Sequence, residues 1–168
     1  MRFGQPASRG TAKGIVMFRG SYEAKITEGR LKFPTDFEKL VAAANIKQFY
    51  VTSPNGKSAE IWPLQEWEKR EARLGEYNTD PVVKKYLNFT SYYGQQSEID
   101  KQARLSLPRI LRSAARLEGE VLVMGKITYL EVTNLEMLAE TLSASAVTDA
   151  DLDRVSDVLR PRGGAGTP

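Results

Sequence analysis

The segment GRLKFP at residues 29–34 returns 74 positions later as ARLSLP at residues 103–108. In both copies an arginine and a leucine follow a turn residue, and a proline ends the segment. The flanking sequence repeats in the same order, over residues 18–67 and again over residues 94–137. A unit of this length closes a poor hydrophobic core by itself, so we expect the two copies to pack on each other.

Each copy carries the same succession of strand, turn, strand, helix, strand, turn, strand and helix. In the first copy, Gly29 supplies the positive φ that a tight turn needs, and Pro34 suits the first residue of a helix. Pro54-Asn55-Gly56 marks the turn between two further strands. The second copy repeats this order, with a turn at residues 100–103 and a helix from Pro108. The pattern predicts an α+β fold made of tandem repeats.

The organisation along the chain follows from the repeat and from its flanks. We expect five segments: a disordered basic extension at 1–16, a first repeat at 17–67, a helical connector at 68–91, a second repeat at 92–142, and a C-terminal helix with a disordered tail at 143–168. The extension holds three cations, no acid and little periodicity, which is typical of a disordered terminus. In the last segment, Leu152, Val155 and Leu159 predict a short helix.

Composition narrows the function classes. The 168 residues are 41% hydrophobic and 27% charged, which indicates a globular chain of one ordinary domain or two small ones. Cysteine and histidine are absent, so there is no disulfide or thiol chemistry, and the commonest general base and zinc ligand are missing. No nucleophile–base pair, metal cluster or phosphate loop is visible. We therefore expect a cytoplasmic protein without a membrane segment, which is not an enzyme and uses no cofactor or metal.

Basic charge is concentrated in the second copy. Residues 101–117 hold five basic residues and no acid: Lys101, Arg104, Arg109, Arg112 and Arg116. Such clustering is typical of a site for a polyanion, although a solvated helix face is the alternative. The last three arginines have the spacing of one helical face. We expect that face to lie opposite an apolar one made of Ile110, Leu111, Ala114 and Leu117.

Three separated motifs carry a family resemblance. They are FRG at residues 18–20, the two R-L-x-x-P elements, and IWPLQEW at residues 61–67. Together they resemble the MraZ family over about residues 17–142. The resemblance implies a SpoVT/AbrB-like swapped-hairpin fold, in which the two copies form one intertwined barrel-type unit. It also implies ring-shaped homo-oligomers that bind direct repeats in promoter DNA of the division and cell-wall gene cluster, and hence association with the nucleoid.

The resemblance also points to a D-x-x-x-R motif in each copy as the DNA contact. The second copy has this motif as Asp100 and Arg104. A carboxylate across a tight turn can hold a guanidinium in one rotamer by a bidentate pair, and an arginine held in this way can bind phosphate or a guanine edge. The first copy departs from the motif, because Ile26 stands four residues before Arg30 and the loop is one residue shorter. We therefore expect Arg104 to contribute more than Arg30.

Two hypotheses of function follow. The first is a sequence-specific DNA-binding regulator, most simply a repressor, acting on double-stranded promoter DNA. Its candidate DNA-binding residues are Arg30, Lys32, Lys101, Arg104 and Arg109, with Asp100 orienting an arginine. The second is a ring-forming scaffold or protein-binding module in which DNA recognition by the first copy has degenerated.

The aromatic residues favour self-association under either hypothesis. Trp62 and Trp67 flank a helix start, and we expect them in the core or at an interface. Tyr92 and Tyr93 follow the connector. With so many large aromatics on small repeats, we expect a homo-oligomer larger than a dimer.

Overall fold

The computed structural model describes residues 16–163, which form two compact units, one ending at Leu135 and one beginning at Glu136. The elements in chain order are β1 (Ser21–Thr27), β2 (Arg30–Lys32), α1 (Thr35–Ala43), β3 (Gln48–Thr52), β4 (Ala59–Pro63), α2 (Leu64–Gly75), α3 (Pro81–Tyr92), β5 (Gln95–Glu98), β6 (Arg104–Ser106), α4 (Arg109–Ala115), β7 (Gly119–Gly125), β8 (Leu130–Asn134), α5 (Leu135–Ala144) and α6 (Asp149–Leu159). The predicted α+β succession is therefore confirmed, and it occurs twice.

All eight strands form one antiparallel sheet with the order β5-β3-β4-β8-β7-β1-β2-β6. The first copy's β1 and β2 pair with β7 and β6 of the second copy, and its β3 and β4 pair with β5 and β8. The two end strands approach each other, since Ser97 Oγ donates a hydrogen bond to the carbonyl of Ser106 at 3.0 Å. The sheet is thus a nearly closed barrel in which neither copy completes a sheet alone.

The core lies where the two copies meet. Leu31 faces Leu105 across the β2–β6 pair, and both side chains are fully buried. Within the first copy, Phe33 packs edge-on against Phe49 with ring centroids 5.5 Å apart. Burial of each such side chain contributes about 1.5–3 kcal/mol, so the repeats stabilise each other through the residues that the sequence repeats.

A reciprocal pair of backbone hydrogen bonds joins each tight turn to the opposite copy. The N–H of Leu107 donates to the carbonyl of Gly29 at 3.0 Å, and the N–H of Phe33 donates to the carbonyl of Ala103 at 2.9 Å. Gly29 and Ala103 both have left-handed backbones, with φ of 76° and 58°. These two bonds, called here the turn latch, fix the position of both turns through backbone groups alone.

The tryptophans belong to an aromatic cluster on the β4–β8 side of the sheet. Trp62 and Trp67 are 6% and 3% exposed. Trp62 stacks on Tyr129 with centroids 4.4 Å apart, and its Nε1 donates to Glu60 Oε1 at 3.0 Å. Placement of both tryptophans in the core is confirmed. Because both tryptophans are buried, they cannot form an exposed surface that drives oligomerisation, and this part of the argument for self-association is wrong.

The start of the ordered core differs from the sequence expectation by one residue. Val16 is buried and belongs to the core cluster, so placing it in a disordered extension was wrong. The reason is that Phe18 forms a strand bridge with Ile127, and this bridge brings the preceding chain onto the barrel. The rest of the expected extension, residues 1–15, lies outside the described residues, as does 164–168 of the expected tail. The remaining boundaries of the five segments stay predictions.

The second unit contains most of α5 together with α6. The helix predicted from Leu152, Val155 and Leu159 is confirmed as α6, and all three of these side chains are exposed. Its start is stabilised by a capping box, in which Thr148 Oγ1 accepts from the N–H of Asp151 at 3.1 Å and Asp151 Oδ2 accepts from the N–H of Thr148 at 2.9 Å. The aspartates at residues 149–153 thus belong to a helix start.

Substitution of Gly29 by alanine tests how tightly the first turn is packed. A Cβ there would lie 2.9 Å from Arg112 Cζ, so the Arg112 guanidinium must shift, which disturbs its hydrogen bond from Nε to the carbonyl of Leu107. The matched control is Gly119→Ala, which has a similar φ of 65° and nothing within 4 Å of the added Cβ. Left-handed alanine costs about 1–2 kcal/mol in either variant. We expect Gly29→Ala to lose about 1 kcal/mol more than the control in urea unfolding; equal losses would contradict the packing.

Candidate nucleic-acid interface

Two turns stand side by side where β2 pairs with β6. The first, between β1 and β2, has a two-residue loop in which Glu28 and Gly29 both have positive φ, at 54° and 76°. These values define a type I′ hairpin turn. The second turn runs from Asp100 to Arg104 and has three residues in its loop, ending at Ala103 in the left-handed region. The structure therefore agrees with the shorter first loop that the sequence indicated.

Asp100 organises the second turn with both of its carboxylate oxygens. Its Oδ1 accepts from the backbone N–H groups of Gln102 and Arg104, at 2.8 and 2.9 Å. Its Oδ2 accepts from Arg104 Nε at 3.1 Å. The expected bidentate pair between the Asp100 and Arg104 side chains is therefore wrong, because Oδ1 accepts from the backbone of the turn and only Oδ2 accepts from the guanidinium. Asp100 still fixes the guanidinium, through one side-chain bond and a rigid turn.

The same hydrogen bonds set the ionisation of Asp100. The backbone N–H of Arg104 makes the largest contribution to lowering the pKa of the Asp100 carboxyl below its ordinary value, with further lowering by the N–H of Gln102 and by the Arg104 side chain. An aspartate is ionised at neutral pH at its ordinary pKa, and the lowered pKa keeps the Asp100 carboxylate charged for Arg104 further into acid.

Arg30 of the first copy shares this carboxylate. Its Nη1 lies 3.9 Å from Asp100 Oδ2. The position expected for an aspartate in its own copy is held by Ile26, which is buried in the core. Because β2 and β6 are paired, with Lys32 opposite Arg104, the second copy's turn brings its aspartate next to Arg30. Sequence reasoning missed this contact because it sought the carboxylate four residues before the arginine, within one copy.

Lys32 and Lys101 add charge at the second turn. Lys32 Nζ donates to the carbonyl of Gln102 across the two copies and lies 3.7 Å from Glu38 Oε2. Lys101 is exposed within the loop itself. The structure therefore gathers four of the five predicted DNA-binding residues at the paired turns: Arg30, Lys32, Lys101 and Arg104.

Arg109, the fifth candidate, lies on α4 with the other arginines of the basic stretch. The three arginines do not share one helical face as expected, because α4 ends at Ala115 and Arg116 has a left-handed backbone with φ of 53°, although all three line one surface cavity. The expected apolar face is also only partly correct, since Ile110 is 50% exposed while Leu111 is buried. A helix of seven residues is too short for the assumed periodicity to reach Arg116.

Arg112 connects α4 to the first turn. Its guanidinium packs over Gly29 and its Nε donates to the carbonyl of Leu107 at 3.1 Å. Arg112 is half-buried, whereas Arg109 and Arg116 are exposed. The surroundings of the two turns therefore differ: an arginine of α4 lies against the first, and Glu38 of α1 lies close to the second through Lys32.

Within residues 16–163, no group of three or more histidine, cysteine, aspartate or glutamate residues is arranged to hold a metal ion. Over the same range, no helix combines the length and the apolar character that crossing a bilayer requires.

Comparison with known proteins agrees with the geometry. A family model described as "MraZ protein, putative antitoxin-like" matches residues 94–151. The chain is 44% identical over 137 residues to "Transcriptional regulator MraZ" of Acidobacterium capsulatum, an alignment that spans 80% of this chain and 94% of the relative. The chain belongs to the MraZ family. The protein of the same name from Koribacter versatilis is 43% identical over 145 residues, or 84% of this chain and 99% of the relative.

Membership of the MraZ family confirms the resemblance drawn from the three sequence motifs. A more distant MraZ protein, from Haemophilus influenzae, is 28% identical over 148 residues, which cover 84% of this chain and 98% of the relative. The nearly closed, intertwined sheet agrees with the SpoVT/AbrB-like fold that the MraZ family implies. The chain is thus a member of a family whose curated relatives are named as transcriptional regulators.

Substitution of Asp100 by asparagine tests the role of its charge separately from its hydrogen bonds to the turn. Asparagine keeps an acceptor oxygen for the backbone N–H groups but has no charge for Arg104 or Arg30. A depressed pKa in the folded state contributes stability above the unfolded-state pKa, about 4, and the contribution is lost as pH falls through the folded pKa. We expect Asp100→Asn to lower the Tm at neutral pH, with the gap to wild type closing in acid. A gap that is absent at neutral pH, or that widens in acid, would contradict the assignment.

Proposed function

We propose that this protein is a DNA-binding transcriptional regulator whose two paired turns contact double-stranded promoter DNA. The observation that supports this most directly is the single carboxylate of Asp100 held between Arg30 and Arg104. The ion pairs of a carboxylate that is only partly shielded from solvent add little to stability beyond the hydrogen bonds of the turn itself. Asp100 instead holds the guanidinium groups of Arg30 and Arg104 in defined positions, from which they can contact a nucleic acid.

The contact with DNA would combine interactions that are independent of base sequence with interactions that recognise it. Lys32, Lys101 and the arginines neutralise phosphates, which supplies affinity without sequence preference and makes binding salt-dependent. A guanidinium in a fixed rotamer can also donate two hydrogen bonds to the O6 and N7 atoms of guanine. Sequence specificity therefore rests on Arg30 and Arg104, and the lysines set the position of the protein on the backbone.

The finer parts of the proposal come from the family. We propose that the DNA sites are direct repeats upstream of the division and cell-wall gene cluster, that binding represses transcription, and that the protein is associated with the nucleoid. Repeated sites suit a protein that presents several identical pairs of turns, because each contact after the first is made at a high effective concentration.

Alanine substitutions at the two arginines test the proposal. We expect Arg104→Ala to weaken binding to a duplex from the upstream region more than Arg30→Ala does. Arg104 Nε is 3.1 Å from Asp100 Oδ2, whereas Arg30 Nη1 is 3.9 Å away and so is held less tightly. A fixed guanine contact contributes about 1–3 kcal/mol, which sets the size of the larger loss.

The control for charge alone is Lys57→Ala, which removes one cation from the loop between β3 and β4, outside both turns. Each variant is titrated against the upstream duplex and against a scrambled duplex, at several salt concentrations. A larger loss at Arg30 would show that the two turns have been ranked wrongly. Losses no greater than that of Lys57→Ala would remove the turns from the interface and favour the ring-forming scaffold.

Self-association is the second part of the proposal. We expect a homo-oligomeric ring larger than a dimer, and large exposed apolar groups of α3 support it, namely Val82, Phe89 and Tyr92. Several large apolar side chains exposed on one helix suit an interaction site. Light scattering at micromolar concentration measures the mass directly. A particle of constant monomer mass would contradict the ring and the repeated-contact account of promoter binding.

A further inference from the structure

We propose that Arg109 and Ser113 of α4, together with Arg116 directly after it, form a binding site for a DNA backbone phosphate next to the first turn. This inference rests on the proposed function, because it assumes that the turns face DNA. It adds a contact outside the turns, made by residues of the second copy beside the turn of the first.

The site is a shallow surface cavity lined by Arg109, Arg112, Ser113, Arg116 and Glu118. Three of these five side chains are guanidinium groups, and the serine hydroxyl is a further donor. Among residues 16–163, none of the ion pairs involves Arg109, Arg112 or Arg116. The cavity therefore concentrates positive charge that the described chain does not neutralise by direct pairing, with Glu118 as its one acidic group.

Arg116 has a backbone conformation that its residue type disfavours. Its φ is 53°, in the left-handed region, where a side chain with a Cβ is strained by about 1–2 kcal/mol relative to glycine. The N–H of Leu117 donates to the carbonyl of Arg112 at 2.9 Å, and Asn134 Nδ2 donates to the carbonyl of Arg116 at 3.0 Å. Both bonds are accepted by backbone carbonyl groups, so they fix the turn for any residue type at position 116, and folding does not explain an arginine there.

The first copy shows what this position requires for folding alone. There α1 ends in the same way, with Asn45 at φ of 54° and the N–H of Ile46 donating to the carbonyl of Val41 at 2.8 Å. Asparagine tolerates the left-handed region through its short polar side chain. The two helix ends thus share one backbone geometry, and only the second carries a cation. A strained residue whose side chain is long and charged indicates a role for that side chain.

The site adjoins the first turn through Arg112. A Cβ added at Gly29 would lie 2.9 Å from Arg112 Cζ, which shows that the guanidinium covers the residue directly before Arg30. A duplex contacted by Arg30 would therefore pass close to α4. The phosphate site would supply affinity on the side where Asp100 holds the arginine less tightly, with no equivalent at the second turn, where α1 carries Glu38 in place of Arg112.

Arg116→Gly provides the test, because it removes the guanidinium and also relieves the backbone strain. The matched control is Asn45→Gly, which places a glycine at the equivalent left-handed position after α1 without removing a cation. We expect both variants to have a Tm equal to or above that of wild type. We expect only Arg116→Gly to bind a duplex more weakly, by about tenfold, the size of one lost charge-assisted hydrogen bond.

The salt dependence shows whether a phosphate contact was removed. For Arg116→Gly, the slope of log K against log salt should fall by about 0.9 per bound subunit, on the upstream and the scrambled duplex alike. Glu118→Gln should act in the opposite direction and tighten binding about twofold to fivefold.

The outcomes separate the two claims. If wild type binds the duplex and Arg116→Gly binds with the same affinity and slope, the phosphate site is overturned and the proposed function stands. If wild type binds no duplex, both are overturned. If inorganic phosphate raises the Tm of wild type but not of Arg116→Gly while DNA binding is equal in the two, the site takes a free anion and the backbone contact is overturned.

Discussion

The turn latch is the constraint on which the rest of the molecule depends. Two backbone hydrogen bonds, from Leu107 to Gly29 and from Phe33 to Ala103, attach each tight turn to the opposite copy. The bonds require left-handed residues at the turns and buried residues just before the helices. The repeated segments at residues 29–34 and 103–108 supply both. Because the latch crosses between copies, the barrel and the candidate interface are formed together, and neither copy can build its half alone.

Crossing between copies also explains how one aspartate can serve two arginines. In a fold with separate repeats, loss of the first aspartate would leave Arg30 without a partner. Here the β2–β6 pairing places Asp100 within reach of Arg30 and Arg104. The two turns nevertheless remain unequal, since Arg104 is the closer arginine, and the first turn has an arginine of α4 beside it. The second turn has Glu38 of α1 in its vicinity.

The sequence predicted the parts of the fold that depend on local rules. The strand and helix order, the turn at Gly29, the helix starts after Pro34 and Pro108, and the interdependence of the copies all follow from periodicity and turn chemistry. The contact between Asp100 and Arg30 could not be predicted, because it depends on the register between strands 74 residues apart in the chain. The left-handed end of α4 was missed because no glycine or asparagine marks it.

A double-mutant cycle on DNA binding tests the shared aspartate most directly. Affinities for the upstream duplex are measured for Asp100→Asn alone, for Arg30→Ala and Arg104→Ala alone, and for each arginine change combined with Asp100→Asn. If Asp100 acts by holding both arginines, its loss should matter less once either arginine is gone, so both cycles should be non-additive by more than about 0.5 kcal/mol. Additive effects of Asp100→Asn and Arg30→Ala would contradict the account, because Asp100 would then serve only its own copy.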